Sequence, residues 1–219
     1  MKKHYGKYLA GISMFLLLGF MPAKYSADFK KNKEKIKTLT ILNPIVHIVA
    51  NNNRVEFIDT TLTKVNQKLV DSITHGLLIK KYTLEKALLP LMDYNRFTTL
   101  FEQLENSPKT IGSISSKPLF NNSDIEFKSK YALLLVYYGQ YHPDFPPHFK
   151  FTAAAVTGTI ILTPNNPTKS IADLRLLVID TENEEVVFYD RINSAKYDAR
   201  ISNEVRQMTK TILRKIYYK

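Results

Sequence analysis

The stretch Tyr-Ala-Leu-Leu-Leu-Val-Tyr-Tyr at residues 131–138 carries no charged side chain and is aliphatic between its aromatic ends. Alternate side chains of a β-strand point to opposite faces of the sheet, so a half-exposed strand alternates between apolar and polar residues. A strand that is apolar throughout is covered on both faces. Residues 131–138 therefore predict a central strand with a packed layer on either side.

Apolar and β-branched stretches elsewhere in the chain predict further strands of the same sheet. Residues 38–49 read as a first strand that is interrupted at Asn43 and Pro44. Downstream of the central strand, the β-rich runs 172–179 and 185–190 are separated by a short polar connection and predict a hairpin. The Thr, Val, Phe and Ile content of residues 149–162 predicts another strand that runs into a hairpin.

Apolar residues at intervals of three and four predict the helices. The first helix is capped by Asp59 or Thr60, a second between residues 84 and 104 is split by Pro90, and a third begins near Asp198 and closes the chain. The core-facing stripe of the first helix is Leu62, Val65, Leu69, Ile73 and Leu77, and that of the last is Ile201, Val205, Met208, Ile212 and Ile216. The expected fold class is α/β (α+β), a mixed β-sheet packed by two to four helices with a carboxyl-terminal helix.

The amino-terminal segment has the pattern of an export signal. Three lysines in the first seven residues precede an apolar run at residues 9–23, which is shorter than the roughly 20 residues of a stable membrane-spanning helix. Neither Ala23 nor Ala27 gives a clean cleavage site, because the small residue preferred upstream is replaced by Met21 or Tyr25. An uncleaved leader that anchors the protein in the membrane is therefore the alternative to a cleaved signal peptide.

These patterns divide the chain into a signal peptide at residues 1–27, a basic spacer at residues 28–37 and a single α/β domain at residues 38–219. The chain holds 31 Lys and Arg against 20 Asp and Glu, a net charge of +11, and the spacer contributes several of the lysines. We interpret this lysine run as a solvated, flexible connection; attachment of residues 30–37 to anionic lipid is the alternative. The expected location is the periplasm or the cell envelope.

The absence of cysteine excludes several kinds of chemistry. The chain has 0 Cys, which rules out disulfides, thiolate metal sites, thiol nucleophiles and lipid attachment through a cysteine. The sequence also lacks a nucleophile elbow, a His-Glu-x-x-His zinc motif, a phosphate-binding loop and a dinucleotide fingerprint. We therefore predict no catalytic residues and no cofactor, and we treat a non-enzymatic role as the leading hypothesis.

One proline-rich segment is the candidate contact with a partner. Residues 142–148 place His142, Asp144, Phe145 and His148 among three prolines. Two imidazoles and a carboxylate could hold zinc, but their spacing matches no compact ligand pair, so solvated histidines on a rigid turn are the simpler interpretation. The apolar residues 153–162 are a second candidate contact, with an interior strand as the alternative.

The order of elements resembles a known group of bacterial proteins. The early strand, the capped helix, the apolar central strand, the hairpin Leu177 to Phe188 with its acidic turn, and the final helix resemble the α/β domain of the CsgG curli-secretion lipoproteins and the TolB amino-terminal domain. The resemblance spans about residues 38–217 and implies an assembly or scaffold role in the envelope. It implies no channel activity, because the chain lacks the anchoring cysteine and the long pore-forming hairpins of that group.

The sequence thus predicts an exported envelope protein with a binding or scaffold role. Its expected partner is another envelope protein; an anionic membrane surface is an alternative, and export argues against nucleic acid despite the many tyrosines. A periplasmic hydrolase or metal-dependent enzyme, with a site assembled from scattered residues, is the competing class. The oligomeric state cannot be read from the sequence.

Overall fold

The computed structural model of the chain describes residues 22–52, 55–89, 96–106, 111–120, 125–144, 147 and 170–217. Within this part, eight strands form one mixed sheet in the order β1-β8-β7-β6-β2-β5; β3 also pairs with β6 and carries β4 on its outer side. The strands are β1 Lys24–Tyr25, β2 Thr38–Leu42, β3 Ile45–Asn51, β4 Glu56–Ile58, β5 Thr83–Ala87, β6 Tyr131–Tyr141, β7 Ile171–Asp180 and β8 Glu185–Ser194.

The helices of the described residues cover both faces of this sheet. They are α1 Ala27–Asn32, a 3₁₀ helix Lys33–Lys35, α2 Thr60–Leu78, α3 Arg96–Asn106, the short α4 Lys117–Phe120 and α5 Ser202–Tyr217. The predicted fold class is confirmed. The helices exceed the expected number because two short ones, α1 and α4, pack at the margins of the sheet.

The central strand β6 is buried on both faces, as its sequence predicts. Leu133, Leu135 and Tyr137 lie in the core cluster that includes residues of α2 and α5. Ala132, Leu134 and Val136 lie in the second cluster, with residues of α3 and α4. Burial of each large apolar side chain contributes about 1.5–3 kcal/mol, so this strand is a main source of stability.

The neighbours of β6 also follow the sequence patterns. β6 pairs in parallel with β2 at its beginning and with β3 at its end, and the break between β2 and β3 falls at Asn43 and Pro44. The predicted hairpin is formed by β7 and β8 in antiparallel register. Asp180 stabilises its turn, since its carboxylate accepts hydrogen bonds from the backbone N–H groups of Glu182 and Asn183 at 3.0 and 3.1 Å. The predicted strand at residues 149–162 lies outside the described residues.

The region around residue 85 corrects the prediction of a single split helix. Residues Thr83–Ala87 form strand β5, which pairs in parallel with β2, and the helix α3 begins only at Arg96. The apolar spacing of a short strand can imitate that of a helix, and the parallel partner β2 is too distant in sequence for a local pattern to indicate.

Helix α2 is capped by Asp59 as predicted, with its carboxylate accepting from the N–H of Leu62 at 2.8 Å. The buried face is rotated relative to the predicted stripe, and Val65 is exposed. The helix packs on both the sheet and α5, so a polar residue, Asn66, is buried where its amide donates to the carbonyl of Ala199 at 2.8 Å. Helix α5 keeps its predicted stripe, with Val205, Met208, Ile212 and Ile216 buried.

The basic segment at residues 28–37 is not the flexible spacer expected from its charge. Ser26 caps α1 through its side chain, and Phe29 is buried in the core beside the rings of Tyr131 and Phe188. The preceding strand β1 pairs with β8 at the edge of the sheet. The burial of Phe29 orders this segment. The many lysines around it make this single apolar contact difficult to recognise in the sequence.

This packing bears on the two candidate cleavage positions. Cleavage after Ala27 would remove β1 and the Ser26 cap, whereas cleavage after Ala23 would keep both. The division into signal peptide, spacer and domain otherwise stays a prediction. Within the described residues, no helix has the length and apolar content needed to cross a bilayer.

Candidate functional site

The structure describes two of the four residues predicted to contact a partner. His142 and Asp144 follow β6 directly, whereas Phe145 and His148 lie outside the described residues, as does the second candidate segment 153–162. The imidazole of His142 is buried, and the carboxylate of Asp144 is exposed. Only Asp144 of this described pair therefore presents its side chain to solvent.

The geometry of His142 bears on the zinc alternative. Its Nδ1 accepts a hydrogen bond from the backbone N–H of Asp144 at 3.3 Å, so this ring nitrogen already has a partner. Across the described ranges, no group of three or more His, Asp or Glu side chains comes close enough together to hold a metal ion.

A polar cluster surrounds the end of β6, and we call its residues Asp59, Tyr141, Ser170, Asp198 and Arg200 the carboxyl-end cluster. The hydroxyl of Tyr141 donates to Asp59 at 2.7 Å, and the Arg200 guanidinium lies over the Tyr141 ring at 4.7 Å. Arg200 also donates to Asp198 at 2.7 Å, and the hydroxyl of Ser170 donates to the same carboxylate at 2.7 Å. The cluster thus joins the end of β6 to the beginning of β7.

The charges of the carboxyl-end cluster stabilise one another. Burial alone would raise the pKa of Asp198, but hydrogen bonds from Arg200 and Ser170 outweigh this effect and hold the pKa below its ordinary value. A carboxylate kept ionised by a bound guanidinium is a poor general acid or base near neutral pH. This arrangement favours a structural role for the cluster.

Alkaline pH should unfold the protein through its buried tyrosines. Burial raises the pKa of Tyr82 to about 12, and burial together with the hydrogen bond to Asp59 raises that of Tyr141 to about 12. The unfolded chain ionises its tyrosines near pH 10. The folded state therefore prefers the neutral phenols, and this contribution to stability is complete below pH 10 and is lost as the pH rises through about 12.

Between these pH values, we expect the tyrosinate absorbance of the buried tyrosines to rise while the circular dichroism signal of the folded protein falls. The chain has 13 Tyr and 0 Trp, so the tyrosinate signal is not obscured by tryptophan. A titration in which all tyrosinate absorbance develops near pH 10 while the folded signal persists would contradict this expectation.

A second polar cluster lies on the α3 face of the sheet, and its residues Glu105, Asp173, Arg175 and Arg191 form what we call the ion network. Arg191 donates to Asp173 at 2.8 and 3.0 Å and to Glu105 at 2.7 Å. Arg175 lies 3.0 Å from Asp173 and 3.3 Å from Glu105, and its guanidinium packs over the Phe101 ring. Two cations and two anions are thus held together with little exposure.

The register of the hairpin explains why the ion network needs its acids. Arg175 and Arg191 are directly opposite each other on β7 and β8. Like charges in this position destabilise a sheet, and the two carboxylates between them remove the repulsion. Our sequence reasoning missed this cluster, although the alternation of Asp173 and Arg175 in an otherwise apolar strand is a usable signal of a polar patch on one face.

An open cleft of about 480 Å³ adjoins the ion network. Arg191 and Asp173, which belong to the network, line one side of it. The remaining lining residues come from β3, β4, β6, β7 and β8; they are His47, Val49, Glu56, Tyr138, Ile171 and Asn193. The acids nearest to this cleft already have partners, because Asp173 binds Arg191 and Glu56 accepts from the amide of Asn51 at 2.6 Å.

The most unusual surface of the described residues is the edge strand β4. Val55, directly before β4, and Phe57 and Ile58 within it expose 58%, 50% and 53% of their surfaces. Among the described strands, β4 pairs with β3 alone, so its outer edge is unpaired. Residues 55–58 give no sequence signal of an exposed edge, because an apolar stretch this short is equally common in a buried strand.

Comparisons with known proteins give distant likenesses. No family model matches the sequence, and no curated protein sequence matches it. Solved structures that are similar include the PelC dodecamer from Paraburkholderia phytofirmans, with 6% identity, a TM-score of 0.36 and coverage of 84% of this chain and 90% of that one. Protein XCC0632 from Xanthomonas campestris has 9% identity, a TM-score of 0.37 and coverage of 84% and 83%.

Lipoprotein GNA1162 from Neisseria meningitidis has 10% identity, a TM-score of 0.33 and coverage of 83% of this chain and 97% of that one. Likenesses of this strength carry no argument about activity or partners. The resemblance to CsgG and TolB stays a prediction. The chain is therefore similar in structure, at low identity, to bacterial proteins that include a lipoprotein.

Proposed function

We propose that the chain is an exported, non-enzymatic protein of the bacterial envelope that binds another envelope protein through edge strand β4. The exposed apolar residues Phe57 and Ile58 of β4, with Val55 directly before it, carry this proposal, since no other described strand pairs with the outer edge of β4. A soluble surface rarely leaves such a group uncovered, and unpaired edges are usually protected by charge, proline or a covering element. The occupant that fits is an extended segment of a partner protein, which adds a strand to the sheet.

The position of β4 supports a joint contact with the segment that begins at His142. Ala50 on β3 pairs with Phe57 on one side and with Tyr141 on the other. Two strand spacings, about 10 Å, therefore separate β4 from the beginning of that segment. The exposed carboxylate of Asp144 lies near this end of the sheet and can contribute a polar contact at the rim.

The polar clusters support a binding protein over a hydrolase or metal-dependent enzyme. Asp173 and Glu105 are engaged by two arginines, and Asp198 is engaged by Arg200. General acid–base chemistry needs a carboxyl group that can exchange its proton near neutral pH. Acids that are held in ion pairs stabilise the fold of the sheet.

The test is site-specific crosslinking in cells. A photoreactive amino acid at position 57 should capture one defined envelope protein, and Val55→Thr with Ile58→Thr should weaken that binding about tenfold or more, as for central apolar contacts of an interface. Leu88→Thr is the matched control, because Leu88 is 78% exposed and lies beyond β5 rather than on β4. Its substitution should leave the crosslink unchanged.

Two outcomes would contradict the proposal. Equal losses from the double variant Val55→Thr, Ile58→Thr and from Leu88→Thr would point to general apolar adhesion. An undiminished crosslink in that double variant would exclude this edge. Asp144→Arg tests the adjoining segment separately. A change in partner recovery with this variant would support a contact there, and unchanged recovery would exclude Asp144 from the interface.

A further inference from the structure

Three segments that are far apart in the sequence bring cations together at the end of the sheet where β6 begins. Lys35 and Lys37 come from the 3₁₀ helix and the residues after it, Lys80 follows α2, and Arg214 lies in the last turn of α5. All four side chains are exposed. With Ile79, they form a surface that we call the basic end.

Hydrogen bonds fix these segments beside one another. The N–H of Thr83 donates to the carbonyl of Lys37 at 2.7 Å, which joins the 3₁₀ segment to the chain after α2. The hydroxyl of Tyr82 donates to the carbonyl of Ile216 at 2.9 Å, and Lys81 Nζ donates to the same carbonyl at 3.3 Å. The carboxyl ends of α2 and α5 therefore meet at the basic end.

The neighbouring acids leave this surface positively charged. Asp190 is buried and paired with Lys215 at 2.9 Å, and Glu182 is paired with Lys130 at 2.9 Å. The exposed Glu34 lies within the 3₁₀ helix itself, and the exposed Asp28 lies on α1 near Tyr131, so the four cations outnumber these two acids. Among the described residues, no ion pair engages Lys35, Lys37, Lys80 or Arg214. The carbonyl groups at the two helix ends add negative dipole charge that the cations exceed.

An apolar side chain lies among these cations. Ile79, the carboxyl-terminal cap of α2, exposes 56% of its surface beside Lys80. A soluble polyanion offers only charge, whereas a bilayer with anionic headgroups offers charge above an apolar layer. A surface that combines cations with an exposed isoleucine is complementary to the bilayer.

We propose that the basic end docks on an anionic phospholipid bilayer, with Ile79 inserted between the headgroups. This inference goes beyond the proposed function, since β4 lies at the opposite end of the strands. It would place β4 on the side of the domain that faces away from the membrane. Each cation near an anionic surface strengthens binding by about fivefold.

The test compares the partition of the full chain into neutral phosphatidylcholine vesicles and into vesicles that also contain phosphatidylglycerol. The leader carries lysines as well as its apolar run, so it adds the same preference for anionic vesicles to every variant. The change in the ratio of the two partition coefficients from one variant to the next therefore isolates the effect of the substituted lysines. We expect Lys35→Gln with Lys80→Gln to lower this ratio about 30-fold, and we expect salt near 0.5 M to abolish it by screening. Lys64→Gln with Lys68→Gln is the matched control on exposed lysines of α2 and should change it little.

A second measurement reports insertion directly. Because the chain has 0 Cys, Ile79→Cys can be labelled at a single site with an environment-sensitive dye. We expect its emission to report an apolar environment with anionic vesicles and an aqueous one with neutral vesicles. An anionic preference that survives high salt, an equal effect of the control pair, or release by heparin together with a dye that stays aqueous would overturn the proposal; the last result would indicate an acidic polysaccharide instead.

Discussion

Asp173→Ala should destabilise the protein by about 3–5 kcal/mol, the largest effect that we expect from a single substitution in the described part of the sheet. Asp173 is the acid that binds both arginines of the ion network, at 2.8 and 3.0 Å from Arg191 and 3.0 Å from Arg175. Its removal leaves two guanidinium groups opposite each other with Glu105 as the one remaining acid of the network. The cost is that of an uncompensated buried charge.

Urea denaturation measures this effect against an exposed ion pair. Asp71 pairs with Lys86 at 3.0 Å, but the two side chains expose 34% and 55% of their surfaces, so Asp71→Ala should change the free energy of unfolding by no more than about 1 kcal/mol. The contrast between the two aspartates tests the importance of burial. Similar changes for both would show that the ion network contributes no more than a surface pair.

The sheet could be predicted from the sequence because its strands carry local patterns that have one structural solution. Residues 131–138 have no polar position, and such a strand fits only the middle of a sheet with two covered faces. The hairpin of β7 and β8 is set by a polar turn between two β-rich runs, and both strands pair as expected. Local chemistry decides both outcomes.

The elements that were mispredicted depend on contacts between distant residues. Strand β5 is a strand because β2, more than forty positions earlier, supplies its parallel partner. The segment around Phe29 is ordered because that ring meets Tyr131 and Phe188. In both cases the local composition favours another state, and tertiary packing overrides it.

The candidate site was less predictable than the fold for the same reason. His142 was predicted to contact a partner, but its imidazole is buried and its Nδ1 accepts from a neighbouring backbone N–H. The ion network joins two strands and α3, and the exposed edge β4 is recognised only once its unpaired side is known. Residue types indicate possible chemistry, and only the packing shows which groups already have a hydrogen-bond or ion-pair partner.

Gly139→Ala should destabilise the protein by about 1–3 kcal/mol, the cost of forcing a methyl group into a packed core. A Cβ at this position would lie 2.6 Å from the Cβ of Ala199 and 2.8 Å from the Cδ1 of Ile48. The Ile48 side chain can rotate away, but the Ala199 Cβ is fixed to the backbone between β8 and α5. The double variant with Ala199→Gly should recover part of the loss, because it removes the closer clash.

Gly76→Ala is the matched control and should have the opposite sign. Gly76 lies within α2, and a Cβ there would meet no atom within 4 Å. Alanine in a helix is more favourable than glycine by about 0.8–1.0 kcal/mol, so this variant should raise the midpoint of urea unfolding. If Gly139→Ala raises the midpoint as Gly76→Ala does, the close approach of β6 to Ala199 is not what requires glycine at position 139.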